Sequence, residues 1–150
     1  MTDRPFRSFT LLVAVLGVVM FLAGSASSGR AQQQEVTEAG RGQYQQYCAV
    51  CHNRNGKGQG TMAKLLKVKP ANLAKLSAKH DGIFPFWYVY RVIDGREQIE
   101  GHGTREMPIW GAVFKQEAGP NLGAELQAHA RILEIVYFIE SLQGPTHPTP

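Results

Sequence analysis

Residues 48–52 read Cys-Ala-Val-Cys-His, and Cys48 and Cys51 are the two cysteines of the chain. Two thiols three positions apart fall on one turn of a helix. From there each can add across one of the two vinyl groups of a porphyrin and hold the ring by a pair of thioethers. The neighbouring imidazole of His52 then reaches the iron as an axial ligand. C-x-x-C-H is the attachment pattern of c-type haem. Other uses of two cysteines ask for more than the chain supplies. A zinc site wants a second C-x-x-C or an H-x-x-x-H, and a thioredoxin-like redox pair follows a strand in a βαβ pattern. Neither is present in this sequence. The motif predicts one covalent haem c bound through Cys48, Cys51 and His52.

Iron held on one side by His52 has a second axial position. Outside the N-terminal segment the methionines are Met62 and Met107. Met62 follows His52 too closely, because passing round the ring to its opposite face would need an almost fully extended chain. Met107 has no such restriction. Pro108 biases it to an extended conformation, in a stretch framed by Gly101, Gly103 and Gly111. A thioether is a soft, neutral ligand that favours Fe(II) and raises the reduction potential. Met107 is therefore the expected sixth ligand. His102, in the same stretch, is the rival and would give bis-histidine ligation. His80, His129 and His147 read as surface histidines.

The N-terminus carries an export signal. Arg4 and Arg7 precede an apolar run from Phe9 to Ala23, and Gly29-Arg30-Ala31 is an acceptable small-x-small cleavage site. The expected organisation is a signal peptide over 1–31, a haem domain over 32–145 and a disordered, proline-rich tail over 146–150. The apolar run is shorter than a comfortable membrane span, which favours a cleaved leader and a periplasmic protein. The alternative is an uncleaved N-terminal anchor facing the periplasm. Attachment of haem c takes place on the export side, so leader and motif agree. Losing Arg4, Arg7, Arg30 and Asp3 with the leader lowers the formal charge from +4 to +2.

The charge is unevenly spread. Arg54, Lys57, Lys64, Lys67, Lys69, Lys75 and Lys79 follow one another with no acid between them, while Glu117, Glu125, Glu134 and Glu140 lie in the last third. Such a run is either a plain solvated face or a surface that steers the protein onto acidic redox partners. Nucleic acid is not an expected partner, given the small net charge and the absence of interleaved aromatics.

The elements that must hold these groups are helical. Thr37 is placed to cap a helix that runs to about Cys51, with Gly40, Tyr44 and Cys48 on one face. Asn53–Gly60 is a glycine-rich loop, Met62–Lys67 a short helix and Pro70–Leu73 a turn. Phe86–Ile93 is aromatic and β-branched, yet Pro85 before it and Asp94-Gly95 after it predict a helix. Gly101–Gly111 is expected to be an irregular loop. Asn121 is expected to cap a long helix over Leu122–Gln143, in which Ile135, Phe138, Ile139 and Leu142 keep helical spacing.

With these residues in place the chain resembles the class I, monohaem c-type cytochromes over about residues 37–143. In that family a glycine and an aromatic, eight and four residues before the first haem cysteine, pack on an aromatic of the C-terminal helix. Here those residues are Gly40 and Tyr44, and the implied partner is Phe138 with Ile135 beside it. Met107-Pro108-Ile109-Trp110-Gly111 is similar to the family's distal loop, and Pro70-Ala71-Asn72-Leu73 to a recurrent segment after the attachment loop. The resemblance implies an all-α fold with N- and C-terminal helices crossing beside one haem. It also implies a backbone carbonyl that orients His52, from Pro70 or from near Gly58. Trp110, Tyr88 and Arg91 are candidates to contact the propionates.

The implied function is transfer of single electrons by an exported carrier that docks on redox proteins. One alternative is the cytochrome subunit of a periplasmic dehydrogenase or oxidase. Another, of a different class, is a ligand-binding or peroxidase-like haem protein, which needs an open sixth position.

Overall fold

The computed structural model describes residues 29–97 and 107–144. The chain divides into two compact units, Met1–Glu35 and Val36–Pro150. Of the first, only the helical residues 29–35 are described. The second carries the rest of the described helices and the cysteine motif. The predicted leader up to residue 28, His102 with its flanking glycines, and the predicted tail lie outside the described residues.

All regular structure among the described residues is helical, as expected. Helix α1 occupies residues 29–47, of which 36–47 belong to the second unit. It is followed by α2 (Ala49–His52), α3 (Phe86–Asp94), α4 (Trp110–Ala118) and α5 (Ala124–Ser141). Single 3-10 turns stand at Thr61–Lys64, Leu73–Lys75 and Ser77–Lys79. No described helix is long and apolar enough to cross a membrane.

Several boundaries differ from expectation. Thr37 does not cap α1, because the helix is already formed at residue 29; Ala31-Gln32-Gln33-Gln34-Glu35 is a run of good helix formers. The short helix placed at Met62–Lys67 is a 3-10 turn ending at Lys64. The expected irregular loop ends before Gly111: Trp110 opens α4, whose Trp110, Val113 and Phe114 face the core. Helix α5 starts at Ala124, not Leu122. Asn121 closes the preceding turn, its amide donating to Ala118 O at 2.6 Å while its Oδ1 accepts from Gly123 N at 2.9 Å.

Helix α3 forms where local composition favours a strand, because helical winding buries Val89 and Ile93 together against the other helices. Beyond its end the amides of Gly95, Arg96 and Glu97 all donate to Arg91 O, at 3.0, 3.0 and 3.1 Å.

The core sits where α5 meets α1, α3 and α4. Ala128, Ile132, Ile135, Val136, Phe138 and Ile139 are buried on more than one side of α5. Helix α1 crosses α5 at Gly40, where a Cβ would lie 1.8 Å from Glu134 O and 3.1 Å from Phe138 Cβ. One turn on, the fully buried Tyr44 packs on Phe138 with ring centroids 4.9 Å apart. The pairing of Gly40 and Tyr44 with Phe138 is thus the observed one. Arg131 ties α1, α4 and α5 together. Its guanidinium lies 3.9 Å from the Phe114 centroid, donates to Glu117 Oε2 at 2.7 Å and to Gln43 Oε1 at 3.0 Å.

Candidate functional site

Cys48, Cys51 and His52 share one helical run. Cys48 N donates to Tyr44 O at 2.9 Å and His52 N to Cys48 O at 2.9 Å, so the hydrogen-bond ladder carries across the turn between α1 and α2. The core contact and the motif are joined through Tyr44, whose ring packs on Phe138 while its hydroxyl donates to Asn53 O at 2.8 Å, just past His52. Both cysteines are free thiols; Cys48 is buried and Cys51 partly so. Burial, and then the neighbouring Cys51, push the Cys48 thiol up to about 12. A catalytic redox pair needs the opposite, a thiol whose ionisation is made easier. The environment of Cys48 therefore counts against a thioredoxin-like use.

His52 is held by its ring nitrogen Nδ1, which stands 3.1 Å from Ala71 O. A carbonyl only accepts, so Nδ1 carries the hydrogen and Nε2 keeps its lone pair. Burial holds the imidazole below the ordinary histidine range, with the Ala71 hydrogen bond opposing. A neutral ring with a free Nε2 lone pair is the form that ligates iron. The orienting carbonyl is neither Pro70's nor one near Gly58, but that of Ala71, the next residue after Pro70. Its position comes from the two loops lying side by side: Gly58 N donates to His52 O at 2.9 Å and Leu73 N to Gly56 O at 2.7 Å. Gly58 has φ +77°, and a Cβ there would sit 2.2 Å from Pro70 O. Only glycine permits both the turn and the approach.

Gln143, which sequence reasoning passed over, fastens this segment to the end of α5. Its side chain donates to Leu73 O at 2.8 Å and accepts from Ser77 N at 3.0 Å. A glutamine at a helix end carries no signal of such a role.

Met107 is partly buried and packs against the same core cluster that contains Cys48. Trp110 packs edge-on to Tyr47 at 5.3 Å and against Phe114, a core role. Arg91 is engaged with Glu97 at 2.8 Å, and Tyr88 lies near His80 with ring centroids 6.3 Å apart. His129, expected at the surface, is partly buried against Tyr90, Arg96 and Glu125.

The seven cations from Arg54 to Lys79 are all exposed, and among the described residues none has an ion-pair partner. Around the motif they are interspersed with exposed apolar side chains, Val50, Met62 and Leu65. Gly60 brings the two together: a Cβ there would lie 2.3 Å from Val50 O.

The donor set fits a covalently attached haem. Two free thiols and a neutral imidazole with an unused Nε2 lone pair stand on one helical run, beside apolar core. Among the described residues no group of three His, Cys, Asp or Glu side chains could hold a bare metal ion. No family model, no curated protein and no solved structure matches the chain.

Proposed function

We propose that this chain is an exported, class I c-type cytochrome that carries single electrons. The observation that supports it most is the state of His52: in a C-x-x-C-H run, its Nδ1 is committed to Ala71 O and its Nε2 is left for iron. When bound, haem c supplies the one-electron couple. Cys48 and Cys51 would hold it by thioethers, and His52 and Met107 would ligate its iron. Tyr44, Phe138 and the apolar core beside Cys48 keep water from that side. With Met107 as the second ligand the iron would have no position left for substrate, which suits a carrier better than an enzyme. The exposed lysines that follow the motif suit redox partners with acidic docking surfaces. The leader sequence supports a periplasmic location.

One observation favours the related reading of a cytochrome subunit in a periplasmic dehydrogenase or oxidase assembly. Ile83 and Trp87 are 72% and 63% exposed, apolar side chains that a partner subunit would cover.

The test is the visible spectrum of the exported protein and of Met107→Ala. The native protein is expected to be low-spin, with the weak far-red sulfur-to-iron band and no response to CO. Met107→Ala should keep its covalent haem, become high-spin, bind CO or azide, and fall in potential. Protein purified without covalent haem would overturn the cytochrome reading. A Met107→Ala spectrum identical to the native one would overturn the axial assignment alone.

A further inference from the structure

Asp94, Arg96, His129, Glu125 and Lys115 form a chain of charged groups that the proposed electron carrier does not use. They line an open cleft of ≈ 240 Å³ between α3, α4 and α5. At its edge the end of α3 and the start of α4 are pressed together. A Cβ on Gly95 would lie 2.4 Å from Ile109 Cγ2, and one on Gly111 would lie 2.2 Å from Asp94 Oδ1. Met107 is two residues from Ile109, so this contact fixes where the chain leaves Met107 and enters α4.

Charged groups flank the contact. The Asp94 side chain is only 7% exposed, and its Oδ2 pairs with Arg96 Nε. Without that cation a buried carboxylate would stand uncompensated. Arg96 is itself mostly exposed and is steadied from the other side, where its Nη2 donates to His129 Nε2 at 3.2 Å. A ring nitrogen that accepts carries no hydrogen. Yet the same Nε2 lies 3.3 Å from Glu125 Oε1, a partner that can only accept. One nitrogen therefore faces two partners, and its protonation selects between them. The other groups around the ring are Tyr90 and Asp94 of α3 and Lys115 of α4, whose Nζ holds Glu125 Oε2 at 2.5 Å.

We propose that His129 is a pH-sensing positioning residue that clasps the end of α3 to the start of α4 and so steadies Met107. Neutral His129 accepts from Arg96 and keeps that cation over Asp94. Protonated His129 donates to Glu125, repels Arg96 and loosens the contact of residues 94–96 with residues 109–111. The clasp stands on these side chains alone. Its effect on the iron rests on the reading of Met107 as axial ligand.

The experiment uses the full haem-loaded protein and His129→Gln, whose amide oxygen accepts from Arg96 at every pH. Amide protection factors at Gly95–Glu97 and Val113, corrected for intrinsic exchange, are followed between about pH 8 and 5 beside the NMR titration of His129. In the native protein protection is expected to fall about two- to fivefold, the scale of a part-exposed ion pair, with the midpoint of His129. It should stay flat in His129→Gln. The far-red band should weaken over the same range in the native protein only. Flat native protection, a midpoint different from that of His129, or a variant that follows the native curve would overturn the clasp. A protection change with a constant far-red band would overturn its coupling to Met107. Protection that follows His129 in a protein showing no far-red band at any pH would support the clasp and refute the Met107 ligation instead.

Discussion

The crossing of α1 on α5 and the looped segment 53–82 hold the two sides of His52 by different means. At the crossing, side-chain volume decides. Tyr44, Ile135 and Phe138 are essentially without exposure, and Gly40 is bare because Glu134 O occupies the place of its side chain. In the looped segment the backbone decides. Gly58 N on His52 O, Leu73 N on Gly56 O and Ala71 O at His52 Nδ1 are single hydrogen bonds to chain atoms, with Gln143 tying the outer end to α5. The first kind of contact is cooperative and costly to disturb, as in any close-packed core. The second is cheaper to disturb but sets the direction of one imidazole. Damage to the crossing should appear as lost stability, and damage to the segment, in the proposed haem protein, as altered chemistry at the iron.

The largest effect is expected at the crossing. Gly40→Ala places a methyl against backbone that cannot turn aside, and the helices must separate. A loss of about 3 kcal/mol or more is expected in urea unfolding, at the upper end for overpacking. Gly42 is on the same helix, with nothing within 4 Å of its would-be Cβ. Gly42→Ala should therefore stabilise by about 0.5–1 kcal/mol, the ordinary gain of alanine over glycine in a helix. Equal effects of the two substitutions would mean that α1 does not cross α5 at Gly40.

The looped segment gives the second, smaller effect. Gly58→Ala combines a positive φ with a Cβ 2.2 Å from Pro70 O. The expected cost is about 1–3 kcal/mol, the scale of strained backbone with local shift. Its distinguishing mark is spectroscopic: displacing residues 70–71 weakens the hydrogen bond that Ala71 O receives from His52. In the proposed haem protein the imidazole would then be a weaker donor to iron, and the reduction potential should rise. A destabilised protein with unchanged potential would separate the segment from His52.

How much could be read from the sequence obeys the same division. Gly40, Tyr44 and Phe138 were legible because helical spacing fixes which residues share a face, and a glycine opposite an aromatic is a recognisable crossing. The C-x-x-C-H run at Cys48, Cys51 and His52 stood out by its spacing, and Pro85 and Gly95 marked α3 despite its strand-like composition. Helix α4 was hidden by Gly111 in its first turn and by the glycine-rich stretch before it. Its formation is settled by burial of Phe114 against Tyr47 and Arg131, contacts that no local pattern encodes. Ala71 was missed by one residue, since a carbonyl has no side-chain signature and its aim depends on how two loops lie together. Asn121 has the composition of a helix cap, yet its two ends bridge a turn.

The lysines test whether the looped segment faces a partner as well as His52. Lys64, Lys67 and Lys69 are exposed and have no ion-pair partner among the described residues, so reversing all three to glutamate removes no ion pair seen there. Stability should move by no more than about 0.5 kcal/mol, as for other surface changes. Electron exchange with an acidic partner should nonetheless slow, because attraction during encounter becomes repulsion. The salt dependence carries the sharper information. The native rate should fall as ionic strength rises, whereas the variant rate should flatten or climb, since screening then relieves repulsion. The same substitutions at Arg131 and Lys115 would break folded contacts with Glu117 and Glu125 and could not make this distinction. A variant with native rates at every salt concentration would reduce the lysine run to a solvated face.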